Sequence, residues 1–164
     1  MTTAKDYVNR LGGTAAIDDG GVTLANDLHK QVVVVTGLEF TADDNTQRQV
    51  LWKNATAHAY RLISAEFVPE AAVTADNTNY STVAIAHQAA PAAALGDVAA
   101  SMQTSIAAGT GNWVANTPEA LTLSATEADK VIAAGEYAVL ELDGTEGTGV
   151  NLPVGVWVLV YEVK

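Results

Sequence analysis

The chain reads as all-β: a jelly-roll-like antiparallel β-sandwich of about eight strands, preceded by an N-terminal arm, and three observations predict this. Short apolar or alternating runs recur along the sequence, separated by clusters of Asn, Asp, Gly and Pro that suit turns. No long helical pattern lies between the runs, which argues against parallel strands joined by helices. Hydrophobic residues make up 49% of the chain but aromatics only 6% and charged residues 16%, so the core is built from small and β-branched side chains. At 164 residues one domain accounts for the length, and such a domain buries roughly two-thirds of the surface of its unfolded chain.

Residues 1–30 form the arm. Thr2 or Thr3 can cap a short helix through Leu11, which Gly12 and Gly13 would end, and Asp18 to Gly21 is a turn. Residues 31–164 form the sandwich. Gln31 to Phe40 contains four consecutive valines, apolar on both faces, and predicts a strand covered on both sides. Gln47 to Lys53 predicts a more exposed strand carrying Trp52. Ala57 to Phe67 has period-two alternation, with Ala57, Ala59, Ile63, Ala65 and Phe67 on one face; Pro69 ends it because proline has no N–H to donate. Asp76 to Asn79 is a turn, and Tyr80 to His87 is extended again.

The alanine-rich segment after His87, broken by Pro91 and Gly96, predicts a surface loop, with a short helix from Ala92 as the alternative. Ala100 to Ala108 alternates, placing Met102, Thr104 and Ile106 on one face. Trp113 anchors the loop that follows, and Glu119 to Ala125 is a strand with Leu121 and Leu123 inward. Thr126 can cap one helical turn whose Ala128, Val131 and Ile132 face the sandwich and which Gly135 stops. Tyr137 to Leu142 is the next strand, residues 143–149 are a glycine-rich turn, and Val154 to Val163 is the last strand. That final run is apolar on both faces, so it is a central strand or one that meets another subunit.

Composition narrows the function. A formal net charge of −11 with only 8 Lys and Arg disfavours nucleic acid and anionic membranes, since phosphate contacts need clustered cations. With no cysteine there is no disulfide, thiolate or Cys-based metal chemistry. Nothing approaches the roughly 20 apolar residues of a membrane span, and the N-terminus lacks the pattern of a signal peptide. His29, His58 and His87 are isolated, without the spacing of a metal site. The Asp43 to Asn45 and Asp76 to Asn79 clusters lack the full calcium-loop pattern and are read as turns. No Gly-x-Ser-x-Gly elbow is present, no carboxylate pair among Glu66, Glu119, Glu141 and Glu162 stands out, and the 143–149 turn lacks the Lys-Ser/Thr ending of a phosphate loop.

The order RLISAEFVPEAAVTADNTNYSTVAI, GNWVANTPEALTLS, VIAAGEYAVLEL, GTGVNLPVGVWVLVYEV, spanning roughly Tyr60 to Tyr161, resembles the jelly-roll capsid decoration, or cement, proteins of tailed bacteriophages. The resemblance implies no enzyme and no cofactor. It implies a structural virion protein, made in the host cytoplasm, that binds the outer capsid surface, bridges capsomers and stabilises the shell. The implied partners are the major capsid protein and further copies of the chain, as a dimer or trimer. Candidate contact residues are Tyr7, Val8, Leu11, Val22, Leu24 and Leu28 in the arm, and Val156, Val158 and Val160 in the last strand. The alternative is a carbohydrate-binding or host-adhesion sandwich that would stack sugars on Trp52 or Trp113.

Overall fold

A computed structural model describes residues 15–18, 21–24, 30–40, 47–91, 95–107, 111–146 and 149–164, and of 15–18, 21–24, 39 and 144–146 the backbone alone. The chain divides into two units, residues 1–31 and 32–164. In the first, β1 (Ala15–Asp18) pairs antiparallel with β2 (Gly21–Leu24), Asp18 opposite Gly21. The turn expected at Asp18 to Gly21 therefore joins two strands that the sequence did not announce. The helix expected up to Leu11 lies outside the described residues, as do Tyr7, Val8, Leu11 and Leu28, while Val22 and Leu24 fall on β2.

The remaining strands are β3 (Lys30–Phe40), β4 (Gln47–Lys53), β5 (Tyr60–Pro69), β6 (Tyr80–Gln88), β7 (Val98–Gln103), β8 (Glu119–Ala120), β9 (Thr122–Leu123), β10 (Val131–Ile132), β11 (Tyr137–Glu146) and β12 (Leu152–Val163). One sheet runs β10-β5-β12-β3, with β8 also on β5; the other runs β4-β11-β6-β7-β9. Both β8 and β10 pair with β5, at Phe67 and at Arg61, and so act as one interrupted strand. Counted that way from β3, the sheets read 1-8-3-6 and 2-7-4-5, with the two-residue β9 added beside β7 at the edge of the second. This is a long hairpin rolled on itself, a jelly roll. Among the described residues there is no helix.

The two sheets close on one apolar core, whose largest members are Trp113, Trp157, Tyr161 and Phe67 rather than only the small and β-branched side chains the composition predicts. Phe67, Trp157, Leu159 and Tyr161 project from one sheet, and Val83, Ile85, Ala100, Met102, Leu140 and Leu142 from the other. Phe67 stacks on Trp157 at 4.4 Å between ring centroids and meets Trp113 edge-on at 6.0 Å. Gly155 makes this stack possible: a Cβ there would lie 2.7 Å from Phe67 Cζ and 2.5 Å from the Val68 carbonyl.

Several expectations shift by a residue or two, each for a local reason. The β5 strand begins at Tyr60, and Ala57 and His58 are exposed before it. A bulge between Val160 and Tyr161 leaves Ile63 without a cross-strand partner and flips the phase, so Leu62, not Ile63, joins Ala65 and Phe67 in the core. In β3, buried Val33 and Phe40 stand an odd number of residues apart; Gly37, at φ +77°, absorbs the extra step.

The strand expected over Ala100 to Ala108 is instead β7, ending at Gln103. Thr104 turns the chain, its N–H bonding Ser81 O at 3.1 Å, and Ile106 is exposed rather than inward. The single strand expected at Glu119 to Ala125 is split, β8 in one sheet and β9 in the other, with Leu121 buried at the crossing. The helical turn expected after Thr126 is a set of non-helical turns leading into β10. Ile132 is buried as expected, Val131 is half-buried and Ala128 is exposed.

Candidate functional site

The outer surface of the β5-β12-β3 sheet is the most unusual surface on the sandwich. Along β12, Trp157, Leu159 and Tyr161 point into the core and are fully buried, so the alternating Val156, Val158 and Val160 point out and are half-buried. Their partners on β5 are Val68, Glu66 and Ser64. On β3 at the sheet edge, Val32 and Val34 are 52% and 57% exposed. The strand expected to be covered on both sides is thus covered on one, and it neighbours the final strand in the sheet. Of the nine contact residues expected from sequence, the structure places Val156, Val158 and Val160 together on this face. It puts Val22 and Leu24 in the other unit, and the remaining four lie outside the described residues.

At one end of the core the two sheets are joined by a polar bridge. His87 of β6 and Tyr161 of β12 lie 3.1 Å apart, Nε2 to Oη. Trp52 packs on Tyr161 at 5.0 Å and on Tyr60 at 6.0 Å between ring centroids. Burial pushes the His87 imidazole down to about 4 and raises the Tyr161 phenol above its ordinary range, so both are neutral at pH 7. Beside them, buried Asn54 donates from Nδ2 to the carbonyls of His58 at 2.8 Å and Ala133 at 3.0 Å. Its Oδ1 accepts the Thr56 hydroxyl at 2.7 Å. Asn54 ties the chain before β5 to the chain after β10.

On the surface nearby, Arg61, Glu127, Glu162, Val163 and Lys164 line an open cleft of about 460 Å³. Arg61 pairs with Glu162 and, at 3.1 Å, with Glu127, whose other oxygen takes Lys130 at 2.6 Å. Lys130 and Arg61 hold the Glu127 carboxyl below the usual carboxylate range. The cations facing this cleft are matched by its carboxylates.

The turn-forming readings of the Asn and Asp clusters hold where they are described. Asp76 Oδ1 accepts the N–H of Thr78 at 2.6 Å and of Asn79 at 3.1 Å, which keeps its carboxyl low. Asn77 Oδ1 accepts the N–H of Ile106 at 3.0 Å and Ala107 at 2.8 Å. These oxygens are committed to backbone. No group of three or more His, Asp or Glu that could hold a metal ion occurs among the described residues. Trp113 is 1% exposed and packs under its loop, bridged to Val73, so it has no ring face to offer a sugar; Trp52 is half-buried against the tyrosines. The chain matches no known protein family, no curated protein and no solved structure.

Two features escaped the sequence reading. The first is the exposure of Val32 and Val34, since a run of valines does not say which face finds cover. The second is the His87–Tyr161 bridge, whose partners are 74 residues apart and gave no motif.

Proposed function

We propose that this chain is a non-enzymatic structural protein that docks by the outer valine face of the β5-β12-β3 sheet onto a repeating protein surface. In the reading that the family resemblance implies, that surface is the outside of a tailed-phage capsid built by the major capsid protein, bound by dimers or trimers of this chain. The observation that carries the reading is the run of outward valines Val156, Val158 and Val160 on β12 beside Val68 of β5. Glu66 stands opposite Val158, the Arg61–Glu162 pair lies at one end, and Val32 and Val34 are exposed on the neighbouring strand β3. We read this apolar strand face as the contact surface.

Its size favours many copies over one. Three strands about 4.8 Å apart and five residues at about 3.3 Å each give roughly 250 Å², against about 800 Å² per partner in a stable complex. A contact this small is weak alone and becomes firm through repetition on a lattice. A shell supplies that repetition. The acidic chain also suits docking through apolar contact, since neighbouring copies of like charge resist clumping away from the shell.

Co-sedimentation of the full chain with expanded, undecorated shells tests the proposal. Saturable binding at a fixed ratio to the shell subunit supports it, and absence of binding overturns it. The adhesion alternative would then be pursued with a glycan array.

A further inference from the structure

We propose that His87 and Tyr161 form an acid-sensitive clasp between the two sheets, closed at neutral pH and released in mild acid. The inference is independent of any docking role. Geometry defines the clasp: β6 and β12 belong to opposite sheets, and their inward side chains meet at 3.1 Å.

A neutral imidazole has one nitrogen to accept and one to donate. With Nε2 accepting the Tyr161 hydroxyl, Nδ1 carries the proton; it is buried and has no hydrogen-bond partner among the described residues. Its surroundings come from several elements. From the turn and β10 come the backbone carbonyls of Asp129 and Val131, and the Glu136 carboxylate acts on the ring through space. From β12 comes Tyr161, backed by Trp52 of β4. Next in β6, the Gln88 side-chain amide is buried with no hydrogen-bond partner among the described residues. The other nearby charges are committed elsewhere: Glu136 accepts the Ala133 N–H at 2.8 Å, the Asp129 carboxylate accepts the Ser124 hydroxyl at 2.7 Å, and Lys130 sits on Glu127 at 2.6 Å.

A second proton on His87 removes the acceptor that Tyr161 uses. Both ring nitrogens then donate, the tyrosine must turn its own proton away, and a charge stands between the sheets. Glu136 through space, and the Asp129 and Val131 carbonyls by hydrogen bonding to the charged ring, oppose part of that cost, yet burial outweighs them. The sign follows. Folded His87 titrates at about 4 and unfolded histidine at about 6.5, so the unfolded state binds the extra proton across that window. Stability attributable to the clasp is complete above about pH 6.5 and falls away down to about pH 4. The part that loosens is the end held by β10, Asn54 and Trp52.

The test compares wild type with His87→Gln, whose amide can still reach Tyr161 but does not titrate. Denaturant unfolding is measured from pH 7.5 to 4, with the His87 ring followed by NMR in the wild type. The expected result is a folding constant that drops, relative to His87→Gln, by up to tenfold per pH unit between about 6.5 and about 4. Amide exchange at Val131 and Ile132 should rise in the same window. Parallel pH profiles for the two proteins would overturn the proposal, as would a His87 ring that titrates near 6.5 with the fold intact. Should His87→Gln not fold, the wild-type ring titration and exchange data decide the matter.

Discussion

The inner and outer faces of the β5-β12-β3 sheet are made from alternate residues of the same strands and differ in what holds them. On β12 the inner residues are Trp157, Leu159 and Tyr161, fully buried, with Phe67 and Trp157 stacked over Gly155. The outer residues are three valines, half-buried, on a strand whose neighbour β3 exposes Val32 and Val34. Large aromatic area on one side drives folding within the chain. Uniform, shallow side chains on the other leave apolar surface that the described sandwich does not use. Apolar residues on both faces of a strand therefore carry two separate meanings, and exposure tells them apart.

The comparison breaks most visibly from the inside. Trp157→Ala removes the stack on Phe67 and should cost about 3 to 5 kcal/mol, read as a lower denaturant midpoint with an unchanged slope. A loss below about 1 kcal/mol would mean that the inner face is not what holds the sheets together. Gly155→Ala forces a methyl against the Phe67 ring and the Val68 carbonyl, for an expected loss of about 1 to 3 kcal/mol. Tyr161→Phe keeps the ring against Trp52 and deletes the bond to His87; the expected loss is about 1 to 2 kcal/mol at pH 7.

From the outside the effect should reverse. Val158→Lys sits opposite Glu66 on β5, so stability should stay within about 1 kcal/mol of wild type. Occupancy on shells should nevertheless fall, and unchanged occupancy would remove the valine face from the docking account. Glu127→Gln, on the exposed ion-pair network, should alter neither melting temperature nor occupancy, since solvent screens such pairs.

Much of the fold was legible because it depends on local chemistry. The bounds of β4 and, to within a residue, of β6 follow from alternation and turn residues. Two-sided apolarity offered β12 a central position as one of two readings, whereas Trp113, open between loop anchor and sugar platform, was decided only by its burial. What escaped was non-local. The bulge opposite Ile63 exists because two strands far apart in sequence must stay in register, and neither strand alone encodes it. The segment Glu119–Leu123 looks like one strand, yet its halves serve different sheets, because the neighbours that claim them, β5 and β7, lie on opposite sides of the core. The candidate site was half legible: Val156, Val158 and Val160 stand out in the sequence, while Val32 and Val34 were assigned a cover that the sandwich does not supply.

The rolled-hairpin order also governs when this sandwich can form. Its β5 strand takes its longest partner from β12, with Val156 beside Val68 and Val163 beside Tyr60, so that edge stays open until the final strand has been made. At roughly 5 to 20 residues per second, a ribosome needs several seconds to travel from β5 to β12. Throughout that interval Phe67 lacks the Trp157 ring that stacks on it. Closure is then a late event whose pairings are mostly distant in sequence, the regime in which domains fold in milliseconds to seconds rather than microseconds. Those seconds are when the open edge of β5 is exposed to aggregation and to chaperones.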